Sequence, residues 1–329
     1  MLQQASVVSV GIDVAKAKLD VAMLRDNRDT VFLTVPNNSI GIGELVVFLR
    51  QQRTAETVPC IMESTGNLHL VTACSLTQEK FTVKVINPLI TKRYQRASIR
   101  NAKNDRIDAE RLATIGTIEK DLPIFSANES AIVSRKLISY LGHLEETKQK
   151  LLSSSKQLSE TLQAFGIKER TTQRGANTTL KAIDRQIVSL RKRVIALAPP
   201  EAKKLSDNVQ GLSETQASVL LGALSDKQFS DKDQLVAFVG LDIMVRKSGT
   251  FQGKEKLSKR GNPYLRKVLY QTAWSLKQHN PIFQAYYNRL YREQGKHYTT
   301  SLVAVARKFL KFLFAYYWKH TITFPQPIT

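Results

Sequence analysis

The sequence contains few cysteines and histidines and no long apolar run. Two cysteines and five scattered histidines in 329 residues exclude a zinc cluster and a disulfide framework, so Cys60 and Cys74 are predicted to be core thiols. No stretch approaches the roughly 18 uncharged apolar residues that a membrane helix needs, and the first residues lack the basic and apolar segments of a secretion signal. We therefore expect a folded cytoplasmic protein with no membrane association.

Acidic residues are also scarce relative to basic ones. The chain carries 28 Asp and Glu against 49 Lys and Arg, which gives a formal net charge of +21 at pH 7. So large a positive charge implies a polyanionic partner. Nucleic acid is the first expectation, with an acidic membrane surface as the weaker alternative. Charge alone names this class of partner but no activity, because structural basic proteins share it.

The N-terminal part of the chain alternates between short β-branched runs and helical patterns. Three runs separated by polar turns predict an antiparallel meander, which alternating helices and strands then follow. This order is typical of a ribonuclease-H-like (RuvC-like) mixed sheet covered by helices, and we assign it to a domain spanning 1–125. The predicted strands are 7–13, 19–24, 31–35, 58–63 and 82–86, and the predicted helices between them are 41–50 and 68–79.

Beyond residue 125 the pattern becomes helical, so the fold class as a whole is α/β plus all-α. Between Leu180 and Leu197 apolar residues step by three and four in turn, an a/d seam that favours a coiled coil. We expect a helical coiled-coil arm over 126–200, turning near 166–175, and a compact helical domain over 201–329. The alternative for the arm, two helices packed on their own domain, stays open because the seam is short.

In a sheet of this kind the first and fourth strands are adjacent, and four acidic residues stand where the fold would bring them together. Asp13 ends the first predicted strand, Glu63 ends the fourth, and Asp105 and Asp108 lie three apart on a predicted helix. Such a cluster is repulsive unless cations fill it. Magnesium, with manganese as an alternative ion, prefers these hard oxygen ligands and supports phosphodiester displacement. Taken singly, each acid is explained as well by a turn or a surface ion pair.

Motifs in both halves of the chain resemble those of a known family, the DEDD transposases of insertion sequences together with the related pilin-gene invertases. The resemblance covers nearly the whole chain and is weakest in the arm. In the first half the motifs are Gly11-Ile-Asp13-Val-Ala-Lys16, Met62-Glu63-Ser-Thr-Gly66, Val85-Ile-Asn-Pro88 and Lys103-Asn-Asp105-Arg-Ile-Asp108-Ala109. In the second half they are Phe238-Val-Gly-Leu241, Ser248-Gly249, Leu257-Ser-Lys-Arg-Gly-Asn262 and Leu265-Arg-Lys-Val-Leu269.

The resemblance implies a bacterial, nucleoid-associated recombinase that cleaves and exchanges DNA strands. It implies that Asp13, Glu63, Asp105 and Asp108 bind magnesium, and that a serine of the C-terminal domain attacks DNA and holds it as a phosphoserine. By its position after the Phe238 motif that serine is Ser248, with Ser258 and Ser301 as lesser candidates. A serine hydroxyl needs a base or a metal to take its proton. We therefore expect a composite site, built by the two halves of different subunits in a homodimer or homotetramer.

Basic residues cluster beyond Ser248 and predict a surface that binds double-stranded DNA. Some family members also use a non-coding bridge RNA to choose donor and target DNA, and the same charges are compatible with that role. A DNA-only invertase would need them equally. The predicted nucleic-acid-binding residues are Lys254, Lys256, Lys259, Arg260, Arg266 and Lys267.

Three other functions fit parts of the same pattern. A metal-only RuvC-like nuclease, such as a junction resolvase, keeps the fold and the acids and has no role for Ser248. An actin-like kinase also begins with a strand, glycine and aspartate, but it needs a second glycine-rich phosphate loop in a duplicated domain, and the sequence has none after residue 125. A non-catalytic nucleic-acid scaffold would make the four acids expendable.

Overall fold

The computed structural model describes residues 5–64, 66–97, 105–168, 170–244, 247–248, 251–252 and 256–322. At 96–97, 105, 244, 247–248 and 251–252 it describes the backbone alone. Contacts divide the chain into two compact units, Met1–Ala127 and Asn128–Thr329. None of the described helices combines the length and the apolar composition that crossing a bilayer requires.

The first unit is built on a mixed sheet of five strands in the order β3-β2-β1-β4-β5. The first three strands are antiparallel, and β4 and β5 run parallel to β1. The α/β prediction is thereby confirmed, including the adjacency of the first and fourth strands. The elements are β1 (Val7–Val14), β2 (Lys18–Arg25), β3 (Thr30–Pro36), α1 (Ser39–Gln51), β4 (Pro59–Glu63), α2 (His69–Gln78), β5 (Thr82–Ile86), α3 (Pro88–Ala97) and α4 (Asp105–Ile118).

Helices cover both faces of this sheet. On one face α1 and α2 bury residues such as Leu45 and Leu76 against Ile12 and Met62 of the central strands. On the other face α4 packs its own apolar residues against Ile61 and Ile86. The central strands are therefore buried on both sides, which explains why their sequences read as continuous apolar runs.

The regular elements described in the second unit are helices and four strands of two residues each, and the sequence did not predict these strands. Its elements are α5 (Glu129–Ala164), α6 (Thr171–Leu197), α7 (Pro200–Asn208), α8 (Glu214–Leu224), α9 (Lys232–Val239), β6 (Ile243–Met244), β7 (Lys247–Ser248), β8 (Phe251–Gln252), β9 (Lys256–Leu257), α10 (Pro263–His279), α11 (Pro281–Asn288), a π-helical turn (Arg289–Glu293) and α12 (Tyr298–Tyr317). Strand β6 pairs with β9, and β7 pairs with β8.

Helices α5 and α6 form an antiparallel pair. Near the base of this helix pair Glu145 forms an ion pair with Arg191, and further out Lys148 forms an ion pair with Asp184. At the base, Ile138, Ile187 and Val194 belong to the core that α7 to α12 share, while Phe165 at the far end is 76% exposed. The core therefore continues across residue 200, the predicted boundary between the arm and the helical domain. The division into three domains stays a prediction.

Candidate functional site

Asp13 and Glu63 occupy matching positions on neighbouring parallel strands. In the pairing of β1 with β4, Gly11 lies opposite Ile61 and Ile12 opposite Met62, so the two acids follow at the next position of each strand. Neighbouring strands are about 4.8 Å apart, and residues in register point to the same face. Both acids are half-buried. The sheet thus places two carboxylates side by side at the carboxyl ends of its central strands.

Two glycines determine how closely α4 approaches this face. A Cβ on Gly11 would lie 2.0 Å from the backbone oxygen of Ala109 and 2.3 Å from the backbone nitrogen of Ala113. A Cβ on Gly116, further along α4, would lie 2.3 Å from Oγ of Ser9. Since later residues of the helix lie over earlier residues of β1, α4 runs antiparallel to that strand. Its N-terminal end therefore points towards Asp13.

The N-terminal end of α4 carries the other two predicted acids. Asp105 is the first residue of the helix, and its side chain lies outside the described residues. The Asp108 side chain is 34% exposed and forms an ion pair with Arg111 one turn later. Among the side chains that the structure describes, no three acidic, histidine or cysteine groups are arranged to hold a metal ion. The backbone thus directs four acids to one end of the sheet, and the described side chains alone do not form a closed cage.

A hydroxyl group orients the Glu63 carboxylate. Thr91, in the first turns of α3, is buried and donates a hydrogen bond from its hydroxyl to Oε2 of Glu63. Sequence reasoning missed Thr91, because nothing in the local pattern of α3 distinguishes it from an ordinary helix residue. The only available signal was its place one turn after Asn87-Pro88, where a chain leaving β5 must turn back over the sheet.

Sequence reasoning also missed Asp20, a buried acid next to Asp13. The two residues lie directly opposite each other in the antiparallel pairing of β1 with β2, so their side chains share one face of the sheet. Asp20 is 4% exposed. Its Oδ1 accepts a hydrogen bond of 2.7 Å from the Thr34 hydroxyl, and its Oδ2 lies 2.8 Å from Nζ of Lys18. The Lys18 charge offsets that of Asp20, so this acid adds little net repulsion beside Asp13.

The three candidate serines have different environments in the second unit. Ser248 lies in β7, opposite Phe251 in the two-strand pairing, and its side chain is outside the described residues. Ser258 is half-buried and donates its hydroxyl to the Asp242 carboxylate. Ser301 is fully buried in α12 and donates to the backbone oxygen of His297 at 3.2 Å. Burial makes Ser301 inaccessible to a macromolecular substrate.

The predicted nucleic-acid-binding residues differ in exposure and in their contacts. Lys256, Lys259 and Arg260 are exposed around β9, and Lys267 on α10 is exposed as well. Arg266 is half-buried and donates to the backbone oxygens of Gly261, at 2.5 Å, and Val239, at 3.3 Å. The Lys267 ammonium lies 2.8 Å from the Glu145 carboxylate. Arg266 and Lys267 therefore have partners within the second unit, and Lys254 lies outside the described residues.

Glu145 is the centre of a network at the base of the arm. Besides Lys267 it accepts hydrogen bonds from Arg191 of α6, at 2.8 Å, and from the Tyr264 hydroxyl of α10, at 3.3 Å. Burial raises the pKa of Glu145, but the hydrogen bonds from Lys267 and Arg191 outweigh it and hold that pKa below its usual value. Burial and the neighbouring Glu145 charge raise the pKa of Tyr264. The network ties α5, α6 and α10 together.

A cavity of about 230 Å³ opens beside β9. Its wall combines apolar side chains with the stems of three of the predicted basic residues. The lining residues are Leu241, Leu257, Lys259, Arg266, Lys267, Tyr270, Val303 and Ala306.

Comparison with known proteins identifies similar sequences in both units. Residues 10–166 match a model of DEDD transposases of the IS110 type, and residues 204–288 match the model described as the transposase IS116/IS110/IS902 family. The chain is 30% identical over 142 residues to a 43.6 kDa protein of insertion element IS110 from Streptomyces coelicolor, covering 42% of the chain and 34% of that protein. It is 31% identical over 101 residues to a 42 kDa protein of IS900 from Mycobacterium paratuberculosis, covering 31% of the chain and 25% of that protein. The matched stretches thus span between a quarter and about a third of the length of these relatives.

Proposed function

Because the chain belongs to the IS116/IS110/IS902 family of transposases, we propose that it cleaves double-stranded DNA and exchanges the strands between sites. The observation that carries the proposal is the placement of Asp13 and Glu63 at the ends of adjacent strands, with the N-terminal end of α4 directed towards them. Asp105 and Asp108 on that end would complete a set of four acids. Clustered carboxylates can bind divalent cations, and bound cations promote the cleavage of phosphodiester bonds.

The donor set fits magnesium, or manganese in its place. All four side chains offer hard carboxylate oxygens, which these ions prefer to nitrogen or sulfur ligands. The hydrogen bond from Thr91 fixes one oxygen of Glu63, and the ion pair with Arg111 fixes the orientation of Asp108. A bound ion would supply electrophilic polarisation of the phosphodiester and relieve the repulsion between the acids. We propose that Asp13, Glu63, Asp105 and Asp108 hold it.

For the nucleophile we propose Ser248, on the grounds of its position after the Phe238 motif. In this step the Ser248 oxygen forms a bond to phosphorus while the bond from phosphorus to one DNA oxygen breaks. The serine proton passes to a base, and the released DNA oxygen takes up a proton. Attack of another strand's hydroxyl on the phosphoserine reverses the sequence and rejoins the DNA. The phosphodiester bond energy is retained in the covalent intermediate, so no nucleotide cofactor is needed.

For binding the duplex we propose the exposed residues Lys256, Lys259 and Arg260, together with Lys254. Arg266 donates to a backbone oxygen and Lys267 is paired with Glu145, so we propose that both residues stabilise the DNA-binding surface from within the second unit. We propose a homodimer or homotetramer as the acting form, since exchange requires two sites to be handled together. We further propose that a bridge RNA guides the choice of donor and target DNA. The alternative is a reaction that uses DNA alone. Copurified RNA of defined sequence would decide between the two.

The test is a recombination assay with purified protein, its element ends and magnesium, combined with denaturing gels that reveal DNA attached to protein. We expect Asp13→Asn and Glu63→Gln to lose cleavage while keeping DNA binding. We expect Ser248→Ala to lose the covalent adduct and all recombination. Cleavage by Ser248→Ala at the wild-type rate would instead establish a metal-only nuclease. Retained recombination in both acid variants would refute the proposed site.

A further inference from the structure

Helix α10 presents an unusual combination of side chains to solvent. Trp274 is 46% exposed and Tyr270 is 36% exposed, although tryptophan is highly buried on average in folded proteins. Lys267 precedes them and Lys277 follows them, at spacings of three, four and three residues. These intervals place all four side chains on one face of the helix. The face therefore carries two aromatic rings between two lysines, of which Lys267 is already paired with Glu145.

The same face continues into a cluster of tyrosines from the following elements. The Lys277 ammonium lies 4.4 Å from the ring centroid of Tyr287 and 4.9 Å from that of Tyr298. Tyr287 in turn stacks on Tyr291, with centroids 5.4 Å apart and ring planes 23° apart. Tyr291 is 44% exposed. The buried ring of Tyr287 thus supports both the cation and the exposed ring beside it.

Two further cations lie against Tyr286, the residue before Tyr287 in the chain. The guanidinium of Arg289 lies 5.3 Å from the ring centroid of Tyr286. The ammonium of Lys308, a residue of α12, lies 4.4 Å from the same centroid. Burial and the charge of Arg289 lower the pKa of Lys308. Each of these cations rests against an aromatic ring, as Lys277 does against Tyr287.

We propose that this aromatic-basic face, defined by Tyr270, Trp274, Lys277 and Tyr291, binds a single-stranded segment of nucleic acid by base stacking. Charge complementarity selects a polyanion, and exposed rings between the cations offer stacking platforms that accept any base. Duplex DNA cannot use such rings, because its bases are stacked within the helix. The inference rests on the proposed function, because the proposed strand exchange separates the strands of a duplex and so supplies the single-stranded ligand.

A protein partner fits this surface less well. Cores of protein interfaces are depleted in lysine, whereas this face holds Lys277 between its aromatic rings. Pairing of two copies through the face would also bring like charges together at Lys277 and its neighbours. A second copy of the chain is nevertheless the occupant that the experiment must distinguish from nucleic acid.

The chain contains two tryptophans, which allows binding to be followed by fluorescence. Trp274 is exposed on the proposed face. Trp318 is half-buried, donates its indole N–H to the backbone oxygen of Lys227 at 2.8 Å and lies against Phe314. We expect oligothymidylate or oligouridylate to quench the emission of Trp274. Because Phe keeps a stacking ring, Trp274→Phe should lose the quenching and keep the affinity, as measured by anisotropy of a labelled oligonucleotide.

The decisive titration compares alanine variants in EDTA, which removes the divalent ion that the proposed cleavage requires. Trp274→Ala and Tyr270→Ala should each weaken binding of the single strand about 5- to 100-fold, with little effect on a blunt duplex. Tyr140→Ala is the matched control, because Tyr140 is a tyrosine on α5 that is 51% exposed. It should leave the affinity unchanged. Comparing thymidine with uridine oligomers shows whether DNA or RNA is preferred.

Equal affinity of all three alanine variants, or quenching by duplex alone, would overturn the inference. So would a change of oligomeric state in Trp274→Ala, measured by light scattering, since the face would then join two copies of the chain. The acid variant Asp13→Asn separates this inference from the proposed function. If it binds single strands normally but does not cleave, the two conclusions stand independently. If wild type recombines DNA while Trp274→Ala binds single strands normally, only the inference fails.

Discussion

The backbone of Ala109 in α4 lies against the Cα of Gly11 in β1, so closely that no side chain fits between them. Two residues beyond Gly11 the strand presents Asp13 on the same face, and one residue before Ala109 the helix presents Asp108. The contact between the helix and the strand therefore sets the separation of the acids that the two elements carry.

We predict that Gly11→Ala impairs the site by displacing α4. A Cβ at this position would overlap backbone atoms of two helix residues, which cannot move independently of the helix. Overpacking of this kind typically costs about 1–3 kcal/mol. The measurement is the free energy of unfolding in urea together with DNA cleavage, and both should fall. Gly43→Ala is the control: nothing lies within 4 Å of its Cβ, so stability should be kept or rise slightly.

We predict that Thr91→Val raises the magnesium concentration needed for half-maximal cleavage about 10- to 100-fold. The valine has the shape of threonine but donates no hydrogen bond to Glu63, and loss of such support commonly weakens metal binding to this extent. Thr91→Ser should restore most of the wild-type response. An unchanged magnesium dependence in Thr91→Val would show that Thr91 has a packing role only.

We predict that two lysines of the proposed DNA surface differ in their contributions. Lys256 is exposed in β9, so Lys256→Ala should weaken duplex binding and lower the slope of log affinity against log salt by about 1. Lys267 is paired with Glu145, so Lys267→Ala should mainly lower the free energy of unfolding. Salt titrations of DNA binding and urea unfolding, performed on both variants, measure the two effects. Identical profiles would contradict the assignment of Lys267 to the network.

We predict an acid-labile contribution to stability from Glu145. Its pKa in the folded protein lies below the ordinary value of 4.5, so its stabilising effect is present above that pH and is lost as the pH falls through the folded value. Glu145→Gln should therefore lower stability at pH 7, by about 1–3 kcal/mol for lost charged hydrogen bonds, and flatten the decline below pH 4.5. The measurement is the free energy of unfolding in urea, determined between pH 3 and pH 7 at intervals of about one pH unit.

The control for this pH dependence is Glu160→Gln on the outer part of α5. The Glu160 side chain is 63% exposed, and its nearest charged partner, Lys156, lies 3.8 Å away. An exposed pair of this kind contributes little to stability. The stability curve of Glu160→Gln should therefore follow that of wild type across the whole range. A parallel loss in both variants would indicate a general charge effect instead of the network at the base of the arm.

Local patterns were sufficient to predict the sheet and the positions of Asp13 and Glu63 on it. Alternating and continuous apolar runs located β1 to β5 to within a few residues, and their order indicated that β1 and β4 are neighbours. The neighbouring positions of Asp13 and Glu63 follow from that adjacency, because each lies at the carboxyl end of its strand. These features depend on contacts between near neighbours in the chain or on general rules of strand connection.

The pairing of distant side chains could not be predicted in the same way. The bond from Lys267 to Glu145 spans 122 residues, and the position of Asp20 beside Asp13 depends on the register of two strands. Strands β6 to β9 have two residues each, too few for any periodic pattern to appear.

Residue types and their order along the chain thus determined the mixed sheet, the transposase family and the placement of Asp13 and Glu63 on adjacent strands. Only tertiary packing decided which lysines remain in solvent, which carboxylate Thr91 orients and which aromatic rings stay exposed on α10. The physical reason is that burial and pairing depend on what the rest of the folded chain brings to a side chain, and a local pattern contains no information about those neighbours.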